Sequence, residues 1–197
     1  MTMRISKIVL SCVIAWTSVA SQAEEAPAAF EISNETFECI RDMTPVRGFY
    51  VDSLSGDLEA TLAVANSEDG GTYPPGSVVQ LVPGEAMVKQ PPGTSPATLD
   101  WEFFELDTSA EGTEIRKRGY ADVVNRFGGN CLACHAKAEP KWDMICETGH
   151  GCDPIPLTRD MLVLLQKTDP RCDDNPDLTP EEIATLQALQ QAAAPQN

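Results

Sequence analysis

Leu99-Asp100-Trp101-Glu102-Phe103-Phe104-Glu105-Leu106 alternates apolar and polar residues except at the Phe103-Phe104 step. A period of two is the pattern of a strand. It predicts Leu99, Trp101 and Phe103 on one face, with Phe104 and Leu106 on the other. Bulky groups on both faces imply sheet core on one side and a pocket or partner surface on the other. Outward from this strand, residues 77–82, 86–89 and 113–118 read as further short strands between Pro- and Gly-rich loops, and 46–51 as another.

Helical spacing takes over on either side. Phe37, Ile40 and Met43 recur at that spacing, with Ser33 or Asn34 as N-cap and Pro45 as the stop, so a helix is expected over 33–43. Leu58, Leu62 and Ala65 share a face of a helix over 57–65, and residues 66–76 are turn chemistry throughout. Helices are also expected over 121–127, 159–167 and 179–194. In the last of these Thr179 is the cap, Pro180 sits at the first position and Glu182 completes a capping box. The final Ala-Pro-Gln-Asn is expected to fray. With no internal repeat and no dividing linker, the expectation is one α+β domain over residues 24–197, a mostly antiparallel sheet with flanking helices.

Behind the β-rich region stands Cys131-Leu132-Ala133-Cys134-His135, the C-x-x-C-H signature of covalent haem attachment. Thiols three residues apart lie on one side of a helical turn, where each can add to a haem vinyl group. The adjoining His135 then meets the iron. Gly128-Gly129 upstream would let the backbone come close to the porphyrin. A zinc site would need a second C-x-x-C or an H-x3-H, which the sequence lacks, and a thioredoxin-like dithiol would need a βαβ context. One haem c is therefore the expected cofactor.

The first 23 residues read as an export signal: Arg4 and Lys7 as the basic start, an apolar run from Ile8 to Val19, and small residues ending at Ala23. The run is short for a membrane span, which needs about 20 residues. A lipoprotein-like reading of Val9-Leu10-Ser11-Cys12 would leave almost no apolar run ahead of the cut. Periplasmic location, without a membrane anchor after cleavage, is the expectation. Removing those 23 residues from 197 leaves 174, with 12 Lys and Arg against 30 Asp and Glu, a formal charge of −18. Such acidity disfavours nucleic acid and anionic lipid surfaces. It suits a basic periplasmic redox partner and equally suits plain solubility.

Cys12 leaves with the signal and Cys131 and Cys134 belong to haem, so Cys39, Cys146, Cys152 and Cys172 remain. In an oxidising compartment four cysteines suggest two disulfides, with three connectivities open. The favoured set is Cys146–Cys152, closing a Gly-containing loop, and Cys39–Cys172, tying the N-terminal segment to the C-terminal one. A metal site using His150 and reactive thiols are the alternatives.

Over residues 73–146 the chain resembles the cytochrome P-460 and cytochrome c′-beta superfamily. The resemblance rests on Tyr73-Pro74-Pro75-Gly76-Ser77-Val78-Val79, similar to an aromatic-x-x-Gly strand start, and on Trp101-Glu102-Phe103-Phe104, similar to a Trp-led strand. Its third element is the C-x-x-C-H with Asp143-Met144-Ile145 behind it. It implies a mostly antiparallel β fold with haem c attached late in the chain, and a homodimer. In the enzymatic branch a lysine cross-links to the porphyrin and supports hydroxylamine oxidation. Here Leu81 stands at the matching position, and the nearest lysine, Lys89, lies beyond Pro83-Gly84. The c′-beta branch, with five-coordinate iron and an apolar pocket for diatomic gases, is the closer likeness.

The site expected from these readings has His135 as the metal ligand and Asp143 or Glu139 as acceptor for its second ring nitrogen. Opposite the iron, His150 would give a bis-His haem, and Met87, Met144 or Met161 a His/Met haem, although a Met is more often core filler. The reading carried forward is an open position lined by Leu81, Phe103 or Phe104, binding a small neutral ligand such as nitric oxide, with a link to electron transfer. A six-coordinate carrier and an oxidoreductase acting on a nitrogen species or peroxide are the alternatives. The sequence identifies no acid/base group for the last.

Overall fold

The computed structural model describes residues 28–174 and 176–193. The expected signal, most of the segment behind it and the final four residues lie outside them. Six strands form one antiparallel sheet in chain order: β1 (Thr44–Val46), β2 (Phe49–Ser53), β3 (Ser77–Gln80), β4 (Glu85–Lys89), β5 (Trp101–Ser109) and β6 (Gly112–Gly119). With four α-helices, α1 (Leu58–Ala65), α2 (Cys131–His135), α3 (Arg159–Lys167) and α4 (Pro180–Ala193), the α+β expectation holds. Among the described residues, no helix is long and apolar enough to cross a membrane.

Alternation along β5 divides the core into two. Trp101 and Phe103 join Val46, Phe49, Val51, Val79 and Met87 in one cluster, which α1 covers with Ala65, Leu58 and Leu62. Phe104 and Leu106 join Val78, Ala86 and Val88 in the other, closed by Ile32 and Phe37 from the N-terminal segment. The face assignment read from sequence therefore holds within the strand. Leu99 departs from it: its backbone is left-handed, at φ 49°, and its side chain is 43% exposed, ahead of the strand.

Two expected helices do not form. Residues 33–43 make two 3-10 turns, Asn34–Thr36 and Ile40–Asp42. Their backbone is claimed from far along the chain: Asp169 Oδ2 accepts from Ile40 N at 2.8 Å, and Thr113 Oγ1 donates to Phe37 O at 2.6 Å. Residues 121–127 form a loop that turns at Gly128 (φ 82°), with Asn125 N donating to Gly129 O at 2.9 Å. The glycine is needed for that turn. The segment over 46–51 is a hairpin of β1 and β2 rather than one strand, with Arg47 at φ 52° between them.

Both C-terminal helices form as expected. Thr158 caps α3 by accepting from Met161 N at 3.3 Å. Ahead of α4, Thr179 Oγ1 accepts from Glu182 N at 3.2 Å while Glu182 Oε2 accepts from Thr179 N at 2.8 Å, a reciprocal capping box. Disulfides join Cys39 to Cys172 and Cys146 to Cys152, the pairing favoured from the sequence.

Candidate functional site

The C-x-x-C-H stretch is itself one helical turn. Asn130 caps α2 by accepting from Ala133 N at 2.8 Å, and its amide donates to Ala121 O at 2.9 Å. Cys131 N donates to Val123 O at 3.0 Å, and Val123 is fully buried in the cluster beneath. The turn is thus set against the sheet face that carries Trp101 and Phe103. Cys131 and Leu132 pack on that cluster. Both thiols, Cys131 and Cys134, are free and half-buried. Burial first, and then Glu85 and Glu105, push the Cys131 thiol up to about 12, so it stays protonated.

His135 is fixed by one backbone acceptor. Its Nδ1 lies 2.7 Å from Met144 O. A carbonyl oxygen can only accept, so Nδ1 carries the hydrogen and Nε2 keeps its lone pair. Burial holds the imidazole below its ordinary pKa and so favours the neutral form, against the pull of that hydrogen bond, which favours the protonated one. The Phe103 ring packs against the imidazole with centroids 5.4 Å apart. Neither expected carboxylate is the acceptor. Glu139 is exposed, and the Asp143 carboxylate faces away to other partners.

Those partners form a buried charged cluster. Lys89 Nζ donates to Asp143 Oδ1 at 2.7 Å, to Oδ2 at 2.8 Å and to Leu99 O at 2.6 Å, which occupies all three of its hydrogens. Asp143 Oδ2 also accepts from Tyr73 N at 2.8 Å, and Asp143 O accepts from Trp101 Nε1 at 2.7 Å. Lys89, the lysine nearest to Leu81 along the chain, is therefore committed to an ion pair.

The remaining site candidates divide between the two faces. Leu81 packs against the same cluster as Phe103, Cys131 and Leu132, so these four share one face of the sheet. Phe104 is not brought there: it lies across the sheet, 5.0 Å from the Phe37 ring. Met87 is buried in the Phe103 cluster, directly opposite Phe103 in the β4–β5 pairing. Met144 packs at the edge of the same cluster, and Met161 is half-buried on α3 in neither cluster. His150 is buried inside the Cys146–Cys152 loop, its Nδ1 2.7 Å from Ile145 O and its ring stacked on Trp142 at 3.7 Å.

Sequence reasoning missed a carboxylate pair. Glu85 and Glu105 face each other across β4 and β5. Burial, then the charge of Glu105, raises the Glu85 pKa. Glu105 is fully buried; its Oε1 accepts from Arg126 Nε at 2.8 Å and forms an ion pair with Arg116, while Oε2 has no hydrogen-bond partner. Asn125 donates to Glu85 at 3.1 Å, so the pair also anchors the loop that leads into α2. A glutamate opening one strand, matched by one on the apolar face of the next, was the available signal.

As a donor set these residues fit covalent haem. Two free thiols stand one helical turn apart, the next residue is an imidazole with its outer nitrogen already occupied, and the other four described cysteines are consumed in disulfides. Comparison with protein-family models, with curated proteins and with solved structures finds no match, so the functional reading rests on this chain's own residues.

Proposed function

We propose that the chain is a periplasmic monohaem c-type cytochrome of the P-460 and c′-beta type that binds a small neutral ligand, such as nitric oxide, at an open iron position. One observation carries this reading. The His135 Nδ1–H bond to Met144 O leaves the Nε2 lone pair available beside two free thiols. Haem c, when bound, supplies an iron that takes a diatomic ligand or exchanges one electron.

The chain's own residues do the rest. Cys131 and Cys134 would hold the porphyrin as thioethers, and His135 Nε2 would bind its iron. A neutral carbonyl behind His135 donates less electron density through the ring than a carboxylate would. That balance suits reversible ligand or electron traffic better than cleavage of a peroxide bond. Phe103 against the imidazole, with Leu81 and Leu132 in the same cluster, keeps water from that side.

Two other readings each have one supporting observation. Met87, opposite Phe103 in the sheet, favours a six-coordinate electron carrier. The Glu85–Glu105 pair beside Cys131 favours an oxidoreductase acting on a nitrogen species or peroxide, because it offers a proton-holding group. Absorption spectra of matured ferric and ferrous protein, before and after nitric oxide and carbon monoxide, decide among them. A high-spin ferrous haem that binds either gas at once is the expected result. A sharp low-spin spectrum unmoved by both gases overturns the open position. A Cys131→Ala/Cys134→Ala variant is expected to lose all haem that survives denaturing electrophoresis; retention of it overturns the attachment.

A further inference from the structure

Lys89 and Asp143 are 6% and 4% exposed, buried together against Trp101, whose ring centroid lies 5.0 Å from Lys89 Nζ. Stability alone does not account for such a pair. Removing an ammonium and a carboxylate from water costs about as much as their attraction returns, and apolar replacements often do as well or better. The arrangement has a further property. Asp143 and Met144 are both left-handed, at φ 49° and 65°. Two successive non-glycine residues in that region are strained and persist only where the surroundings hold them.

Here the holds converge on Asp143. Lys89 grips both carboxylate oxygens, Tyr73 N donates to one of them, and Trp101 Nε1 donates to the Asp143 carbonyl. The next residue, Met144, turns its carbonyl onto His135 Nδ1. Lys89 in turn is oriented by the carbonyl of Leu99, another left-handed residue. The chain of contacts runs from a buried cation, through a fixed aspartate, to the acceptor that sets the tautomer of the iron ligand.

We infer that Lys89, acting through Asp143, is a positioning residue for His135, fixing the Met144 carbonyl so that the imidazole presents Nε2 to iron in one orientation and one tautomer. The inference rests on the haem reading above and names what tunes that site. Its test is resonance Raman spectroscopy and redox titration of the matured holoprotein and its Lys89→Met and Lys89→Arg variants. In Lys89→Met the iron–histidine stretching band is expected to move to lower frequency and broaden, and the reduction potential to rise, because the Met144 carbonyl is no longer held on Nδ1. Lys89→Arg, which keeps the charge, is expected to bring both readouts back toward the parent.

A Lys89→Met protein with a lower melting temperature but an unmoved band and potential overturns the inference. Should Lys89→Met not fold, Trp101→Phe, which keeps an aromatic ring but removes the donor to the Asp143 carbonyl, is read the same way: a shifted band upholds the inference and an unmoved one overturns it. If the matured parent carries no covalent haem, the haem reading itself has failed. Nitrogen NMR of the imidazoles in the same full-length chain then decides the positioning role. A single Nδ1–H tautomer at His135 that becomes mixed in Lys89→Met upholds it; an unchanged tautomer overturns it.

Discussion

The two faces of the sheet are closed by different physics. Behind Phe104 the N-terminal segment lays Ile32 and Phe37 on Val78, Ala86 and Val88, an apolar contact whose covering backbone is held by Arg118 and Arg171, each paired with a buried carboxylate. Behind Phe103 the cover is a single helical turn, a left-handed pair at Asp143-Met144 and a buried ion pair. Adjacent residues of one strand thus serve a plain core and a chemically specified one. Buried ion pairs close both faces, Lys89–Asp143 on one and Asp169–Arg171 on the other, but the left-handed pair Asp143-Met144 lies only where one imidazole is held.

The largest test of this contrast is to truncate each phenylalanine in turn. Both are 1% exposed, so Phe103→Ala and Phe104→Ala should each cost about 3–5 kcal/mol in denaturant unfolding. On the proposed haem reading, only Phe103→Ala should also change the absorption spectrum, because only its ring packs on His135. An equal spectral change in Phe104→Ala would break the contrast.

The disulfides sharpen it, since each sits on one side. Cys39–Cys172 spans a separation of 133 residues next to the N-terminal cover, and replacing both cysteines by Ala should cost about 2–4 kcal/mol without altering the spectrum. Cys146–Cys152 closes a separation of only 6, so its loss should cost less in unfolding. It should still be felt at Ile145 and His150, as faster amide exchange across that loop.

The smallest effect expected is a pH dependence at Glu85. Burial and then Glu105 raise its pKa in the folded protein, while the unfolded chain keeps the ordinary value. Between the two values the folded protein binds more protons, so stability falls as pH rises through the window above the ordinary carboxylate pKa. Glu85→Gln should flatten that slope and leave the protein more stable at the upper end, measured as melting temperature against pH. An unchanged slope would mean that Glu85 is not the group responsible.

Much of the fold was legible because its signals are local. Alternation within β5 is a property of neighbours, as is the Thr179 cap. The misread helices failed for non-local reasons. The spacing of Phe37, Ile40 and Met43 fits two 3-10 turns as well as a helix, and the choice is made by Asp169, which is 129 residues from Ile40. Residues 121–127 looked helical, but Asn125 and Arg126 are drawn to Glu85 and Glu105 on the sheet. At the site, the side chains of Cys131, Cys134 and His135 were readable from their spacing. The acceptor for His135 was not, because it is a backbone carbonyl and belongs to no residue type. Lys89 and Asp143, 54 residues apart, carry no mutual mark in the sequence.

The long disulfide also sets a timetable. A polypeptide emerges from its N-terminus, so Cys39 becomes available well before Cys172, and Cys131, Cys134, Cys146 and Cys152 all appear in between. The nearest partner in the finished fold is the last one to arrive. Until then every intervening thiol is a rival for Cys39, and any bond made early has to be undone by exchange. Thioether formation at Cys131 and Cys134 would withdraw two of those four rivals permanently. Maturation of the cofactor segment and correct closure of the chain are then one sequence of events, in which the order of the first determines the yield of the second.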